Sequence, residues 1–318
     1  MTRSMLYAFD GTWNDDSNPA AWTHVYRLAT CLYRERARYY PGVGSWSDTR
    51  GSLVQRLLGG AFANGLAEII RNAFTDWLRD RENGVTTVDV IGFSRGAMAA
   101  IDFAGKIREY ERAQRIPMAK RAKLRFIGLF DTVDAIGLPS IDWDPFYYHA
   151  LPTGKNAFIH AVHAVALHET RTTFQVVDVP GMDLVMGFIG DHSDIGGGWQ
   201  HQGLSSTVLK WMYDQAESAG IAWDRSLNHV GGKPDDRLLP HRVQAALFTH
   251  QPRTWPRNLT VYPDYPHWSK ISVDALPYYP LLKQVPDHPR YRLASKQPIP
   301  QEPAMRWIFT EADRYTKE

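Results

Sequence analysis

The chain has 318 residues, 44% hydrophobic and 22% charged, which is ordinary globular composition and enough for one large domain or two small ones. Its 36 Lys and Arg against 34 Asp and Glu leave a net charge of +2, too balanced for dedicated nucleic-acid binding, and no basic block forms a phosphate-binding patch. Cys31 is the single cysteine, so an intrachain disulfide and a thiolate metal cluster are both excluded.

The opening MTRSMLYAFDGTW lacks the apolar core of a signal peptide, and no apolar run approaches a membrane span. The expectation is a chain made in the cytoplasm, with export left to a signal-independent machine. MLYAFDGTW reads as a first strand ending at Asp10-Gly11-Thr12, followed by helical stretches over Ala21 to Arg38 and Ala61 to Arg81. The second carries a helical stripe of Leu66, Ile69, Ile70, Ala73, Phe74 and Trp77. Val85 to Ile91 reads as a buried strand and Ala97 to Ile107 as a helix, with a third strand over Leu124 to Phe130. AFIHAVHAVALHE reads as helical, FQVVDV as extended, and Leu184 to Ile189 as a further strand. LSSTVLKWMYDQAESAG closes this region as a helix that Gly220 stops.

Short apolar runs alternating with helices imply an α/β fold: a mainly parallel sheet covered on both faces. The reading is a single domain with its core in residues 1–225, a lid-like aromatic insertion over 137–156, and a Pro- and aromatic-rich C-terminal layer over 226–318.

Ligands on such sheets sit at the carboxyl ends of the strands. Four strands here end in polar residues: Asp10-Gly11-Thr12, Ser94, Asp131 and Asp191-His192-Ser193-Asp194. Ser94 lies in Gly92-Phe93-Ser94-Arg95-Gly96, the G-x-S-x-G pattern of a nucleophile elbow, where a strand hands over to a helix and the glycines keep side chains out of crowded flanks. A serine hydroxyl needs a base, and that base needs an orienting partner. The order Ser94, Asp131, His192 is the one expected of an α/β-hydrolase, giving nucleophile, orienting acid and general acid/base. Asp134 is the rival acid, and Asp194 shapes the loop GDHSDIGGGW. An oxyanion hole would take the backbone N–H of Arg95 and a second donor from Gly11 or Thr12. Trp143, Phe146 and Tyr147, with Tyr148, are candidates for an apolar substrate wall, or else pack beneath the next helix.

Metal chemistry finds little support in the pattern. His160, His163 and His168 fall near one stripe of the expected helix, where histidines bordering the core are the better account, and no H-E-x-x-H occurs. Asp10, Asp15, Asp16, Asp191 and Asp194 admit a hard divalent cation such as calcium, but their spacing does not require one. No resident cofactor is expected.

The segments FDGTWND, YYPGVGS, GLAEIIRNAFTDWL, IGFSRGA, GLFDTVDAIG, HAVALHETR, GDHSDIGGGW and LSSTVLKWM, in order over roughly residues 5–225, resemble the α/β-hydrolase catalytic domain of bacterial type VI secretion phospholipase effectors. Carried over by motif, the resemblance implies a nucleophile at Ser94, an acid at Asp131 and a base at His192, acting on acyl esters of glycerophospholipids. It also implies an immunity or secretion-apparatus protein as partner. His168 stands where the family usually has an acidic residue before E-x-R, and no long membrane-contact module is visible. The resulting expectation is a serine esterase of phospholipase A or lipase type. Its rivals are an esterase for small soluble esters and a catalytically dead binding protein on the same scaffold.

Overall fold

Six strands pair side by side, all parallel, in the order β2-β1-β3-β4-β5-β6. They are β1 Arg3–Phe9, β2 Arg36–Tyr40, β3 Val85–Phe93, β4 Lys123–Phe130, β5 His160–Ala166 and β6 Leu184–Phe188. The computed structural model describes residues 3–12, 22–33, 36–44, 60–133, 158–166, 169, 174, 176–177, 179, 181–188, 190–198 and 203–224. The expected lid over 137–156 and the C-terminal layer over 226–318 lie outside the described residues.

Strand alternation divides the core in two. On one face Met5, Tyr7 and Phe9 of β1, Val88 and Val90 of β3, and Ile127 and Leu129 of β4 pack against α2 (Gly60–Glu82) and α3 (Arg95–Ala113). The stripe expected on α2 faces this layer, with Leu66, Ile70, Ala73 and Trp77 all buried. On the other face Leu6, Ala8, Ile91, Phe93, Phe130 and Phe188 meet Val25 and Leu28, Ile195 of the short helix α4 (His192–Gly196), and Leu204, Val208 and Trp211 of α5 (Gly203–Ser218). Helices therefore cover both faces, as a fully parallel sheet requires.

Two expected elements differ from those observed. Ala21 to Arg38 is not one helix: α1 (His24–Tyr26) runs into a π-helical turn, Arg27–Leu32, and the chain then enters β2. The helix-favouring Arg36, Ala37 and Arg38 are overridden by pairing to β1 and by ion contacts. Arg38 Nε and Nη2 each lie 2.7 Å from an oxygen of Asp80 on α2. Tyr7 of β1 donates to the same carboxylate at 2.7 Å. AFIHAVHAVALHE holds strand β5 rather than a helix. Both faces of β5 are buried, so apolar residues occur at every spacing and periodicity cannot separate strand from helix.

This topology fixes where a site can form. From β1 the chain moves outward to β2 and then crosses back to β3, so the strand order reverses between β1 and β3. A crevice opens at such a switch point, beyond the carboxyl ends of the strands. The strand ends are level: Phe9 pairs with Gly92, Phe93 with Phe130, and Phe130 with Ala164.

Candidate active site

At the end of β3 the chain turns sharply into α3 through Ser94. Its φ of 58° and ψ of −127° are strained for a residue with a side chain, at a typical cost of about 1–3 kcal/mol. The flanking glycines are required by neighbouring backbone. A Cβ on Gly92 would lie 2.6 Å from the Ala97 Cα and 2.7 Å from the Gly96 carbonyl oxygen. One on Gly96 would press into the carbonyl oxygens of Phe9 and Asp10 on β1. Only with both positions bare can α3 start this close to β1 and β3. The Ser94 amide donates to the Phe130 carbonyl at 2.9 Å, which ties the turn to the end of β4.

One residue past β4, Asp131 is fully buried with a φ of 38°. Its amide donates to the Ala164 carbonyl at 2.7 Å, and its Oδ1 accepts from the Ala166 amide at 2.9 Å. The other oxygen, Oδ2, lies 2.6 Å from His192 Nδ1. An ionised carboxylate can only accept, so the proton of that bond sits on Nδ1, and in the neutral ring this leaves the lone pair on Nε2. The His192 ring lies between Phe93, with centroids 4.6 Å apart, and the edge-on ring of Phe174 at 4.8 Å. Phe93 directly precedes Ser94, so this packing brings the imidazole to the elbow. No hydrogen bond joins the Ser94 hydroxyl to His192 among the described residues.

His192 is the first residue of α4, which Asp191 caps: its Oδ1 accepts from the amides of Ser193 and Asp194, each at 2.9 Å. Asp194 Oδ2 accepts in return from the Asp191 amide at 3.0 Å, completing a capping box. Asp194 therefore holds the loop, as its sequence context suggests. Glu169, buried past the end of β5, accepts from the His192 amide at 3.2 Å through Oε2. Glu169 falls in HAVALHETR, one of the segments that carry the family resemblance, but its partner is not legible there, because the contact spans 23 positions.

At the end of β1, Asp10 is a buried hub. Its Oδ1 accepts from the Gly11 amide, and its Oδ2 from the hydroxyls of Thr23 and Tyr39, each at 2.7 Å. Thr12 Oγ1 accepts from Arg95 Nη1 at 3.0 Å, and the Arg95 guanidinium carbon lies 6.0 Å from the Phe174 ring centroid. Behind the site, His24 Nε2 lies 2.7 Å from the Ser205 hydroxyl. Complete burial, reinforced by Arg27, lowers its pKa from 6.5 to about 3 and keeps the ring neutral.

The structure thus gathers Asp10, Gly11, Thr12, Ser94, Arg95, Asp131 and His192 at one sheet edge. Trp143, Phe146 and Tyr147, with Tyr148, Asp134, Asp15, Asp16 and His168, lie outside the described residues. His163 is not on a helical stripe. It is fully buried on β5, where its Nε2 accepts from the Thr132 amide at 3.1 Å. His160 on the same strand lies 2.8 Å from Gln215 Oε1. Among the described residues, no group of three or more His, Cys, Asp or Glu side chains is arranged to hold a metal ion.

A parallel sheet with a strained serine beyond its third strand, and an imidazole–carboxylate pair beside it, defines an α/β-hydrolase-like domain. The chain belongs to the family described as T6SS, phospholipase effector Tle1-like, catalytic domain, whose model matches residues 3–110 and 105–215. The matched model is that of the catalytic domain of these phospholipase effectors. Among solved structures it is similar to an uncharacterized protein from Pseudomonas aeruginosa, at 20% identity with a TM-score of 0.49, covering 70% of this chain and 46% of that one. It is also similar to the Tle1 effector bound to the VgrG spike from the Type 6 secretion system, at 21% identity with a TM-score of 0.41, covering 62% and 51%. The chain spans about half the length of these two proteins. No curated protein matches it. Among the described residues no helix is long and apolar enough to cross a membrane.

Proposed function

We propose that the protein hydrolyses the carboxylic acyl esters of glycerophospholipids through a Ser94–His192–Asp131 triad. The observation that carries this reading is the 2.6 Å contact between His192 Nδ1 and buried Asp131, formed beside the strained turn that presents Ser94. In this mechanism His192 Nε2 takes the Ser94 proton as Oγ attacks the ester carbonyl. Asp131 holds the ring in the required tautomer and stabilises the imidazolium. The oxyanion is met by the Arg95 amide and by a donor from the Asp10-Gly11-Thr12 loop. The second donor is assigned to Thr12, whose hydroxyl Arg95 contacts at 3.0 Å. His192 then protonates the departing lysophospholipid oxygen, leaving an acyl-Ser94 ester. Water, activated by the same imidazole, releases the fatty acid and restores the serine.

Trp143, Phe146 and Tyr147 are assigned to contact with the acyl chain. The family supports delivery by a type VI apparatus and a partner in that apparatus; an immunity partner is part of the proposal. The test is release of fatty acid from phosphatidylethanolamine–phosphatidylglycerol vesicles, run beside short soluble esters, with and without EDTA. Vesicle hydrolysis that EDTA leaves unchanged and that Ser94→Ala abolishes is expected. Turnover of short esters alone would assign the domain to soluble esters instead.

A further inference from the structure

Two carboxylates hold the residue proposed as general base: Asp131 bonds its ring and Glu169 its backbone amide. We infer that Glu169 is a positioning residue: its carboxylate sets the place of His192 through the backbone amide, and so sets the reach of Nε2 to Ser94. This rests on the triad reading and extends it.

The argument starts from the helix that carries His192. The first amides of a helix have no partner within it and need acceptors from outside. The capping box of Asp191 and Asp194 serves the amides of Asp191, Ser193 and Asp194, and leaves that of His192 to another group. Glu169 fills that place at 3.2 Å, with only 3% of the residue exposed. A carboxylate on a helix-start amide is a charge-assisted bond, stronger than a neutral one, and favoured by the helix dipole.

Its position in the chain gives the contact a further consequence. Glu169 lies three residues beyond Ala166, whose own amide grips Asp131 Oδ1 at 2.9 Å. The end of β5 therefore holds both partners of the pair, the acid through Ala166 and the base through Glu169. Ala166 and Glu169, three positions apart in the chain, thus each hold one member of the pair, beside the direct bond between them. Loss of the Glu169 acceptor frees the first turn of α4 to move while Asp131 stays fixed to β5. A displacement of about 1 Å in such a constellation can cost about 10²-fold in rate.

The experiment compares the full chain with Glu169→Ala and Glu169→Gln in hydrolysis of p-nitrophenyl butyrate. Active enzyme is counted by fluorophosphonate titration, so that unfolded material does not enter kcat. Glu169→Ala is expected to lower kcat by about 10- to 100-fold with KM within twofold. Glu169→Gln, which keeps an acceptor oxygen, should recover most of the loss. If alanine abolishes folding, Glu169→Asp, which withdraws the acceptor by one methylene, is read the same way. An alanine or aspartate variant with wild-type kcat, a change confined to KM, or equal losses in Ala and Gln would overturn the assignment. A wild-type chain that neither turns over the ester nor reacts with the fluorophosphonate would overturn the triad reading itself, so the two failures are distinct.

Discussion

The two sides of the site are held by different physics. On the Ser94 side, position comes from hard contacts: Gly92 and Gly96 let α3 start against the backbone of β1, and the strained turn at Ser94 follows. On the His192 side, position comes from hydrogen bonds, with Asp131 on the ring, Glu169 on the amide, and Asp191 and Asp194 capping the turn. Steric placement tolerates no added atom, while polar placement can be adjusted one acceptor at a time. Changes on the first side should therefore cost structure and activity together. Changes on the second should cost rate with the fold preserved.

The largest expected effect removes the chemistry from both sides. Ser94→Ala and His192→Ala should each lower turnover by about 10⁴-fold or more, and the double variant should be no worse than either alone. Steady-state kinetics on one activated ester checks this; additive losses would mean that the two residues do not act as a unit. Asp131→Asn keeps the shape but favours the wrong imidazole tautomer, with an expected loss of about 10⁴-fold in kcat and little change in thermal midpoint.

Gly96→Ala probes the steric side. Overpacking against the carbonyls of Phe9 and Asp10 should cost about 1–3 kcal/mol, measured by urea denaturation, with a parallel loss of activity. An active, fully stable alanine variant would show that the two elements are not locked together by contact.

The next effect is set by pH. His24 has a native pKa of about 3 against 6.5 in the unfolded chain, so below pH 6.5 the unfolded state binds the extra proton. Its stabilising contribution is fully present above 6.5 and is lost as pH falls towards 3. By pH 5 the loss should be about 2 kcal/mol. Urea midpoints of the wild type and His24→Gln at pH 7.5 and 5 should show a smaller pH dependence in the variant. The smallest effect is expected at Gly220, whose φ of +90° ends α5: alanine there should cost about 1–2 kcal/mol without touching kcat.

The same contrast explains what the sequence made legible. The steric side is written locally, since Gly92, Ser94 and Gly96 fall within five residues between a β-branched run and an alanine-rich helix. Asp131 and His192 were readable because each follows a strand end, and strand ends share one edge of a parallel sheet. β5 was misread because a strand buried on both faces, built from alanine, valine and histidine, has no period to reveal it. Edge strand β2 was misread because its basic, helix-favouring residues are held by Asp80 and by pairing to β1, both remote in sequence. Glu169 falls in the HAVALHETR segment that carries the resemblance, but nothing local shows what it holds. Its partner lies 23 residues away, and placing the two together required knowing that HAVHAVA is a strand.

The central claim is that Ser94 is the nucleophile and that His192 activates it. A fluorophosphonate probe followed by peptide mass spectrometry tests this most directly. One adduct on Ser94 is expected in the wild type, with none in Ser94→Ala and labelling slowed by orders of magnitude in His192→Ala. An adduct on another residue, or equally fast labelling of Ser94 without the imidazole, would contradict it.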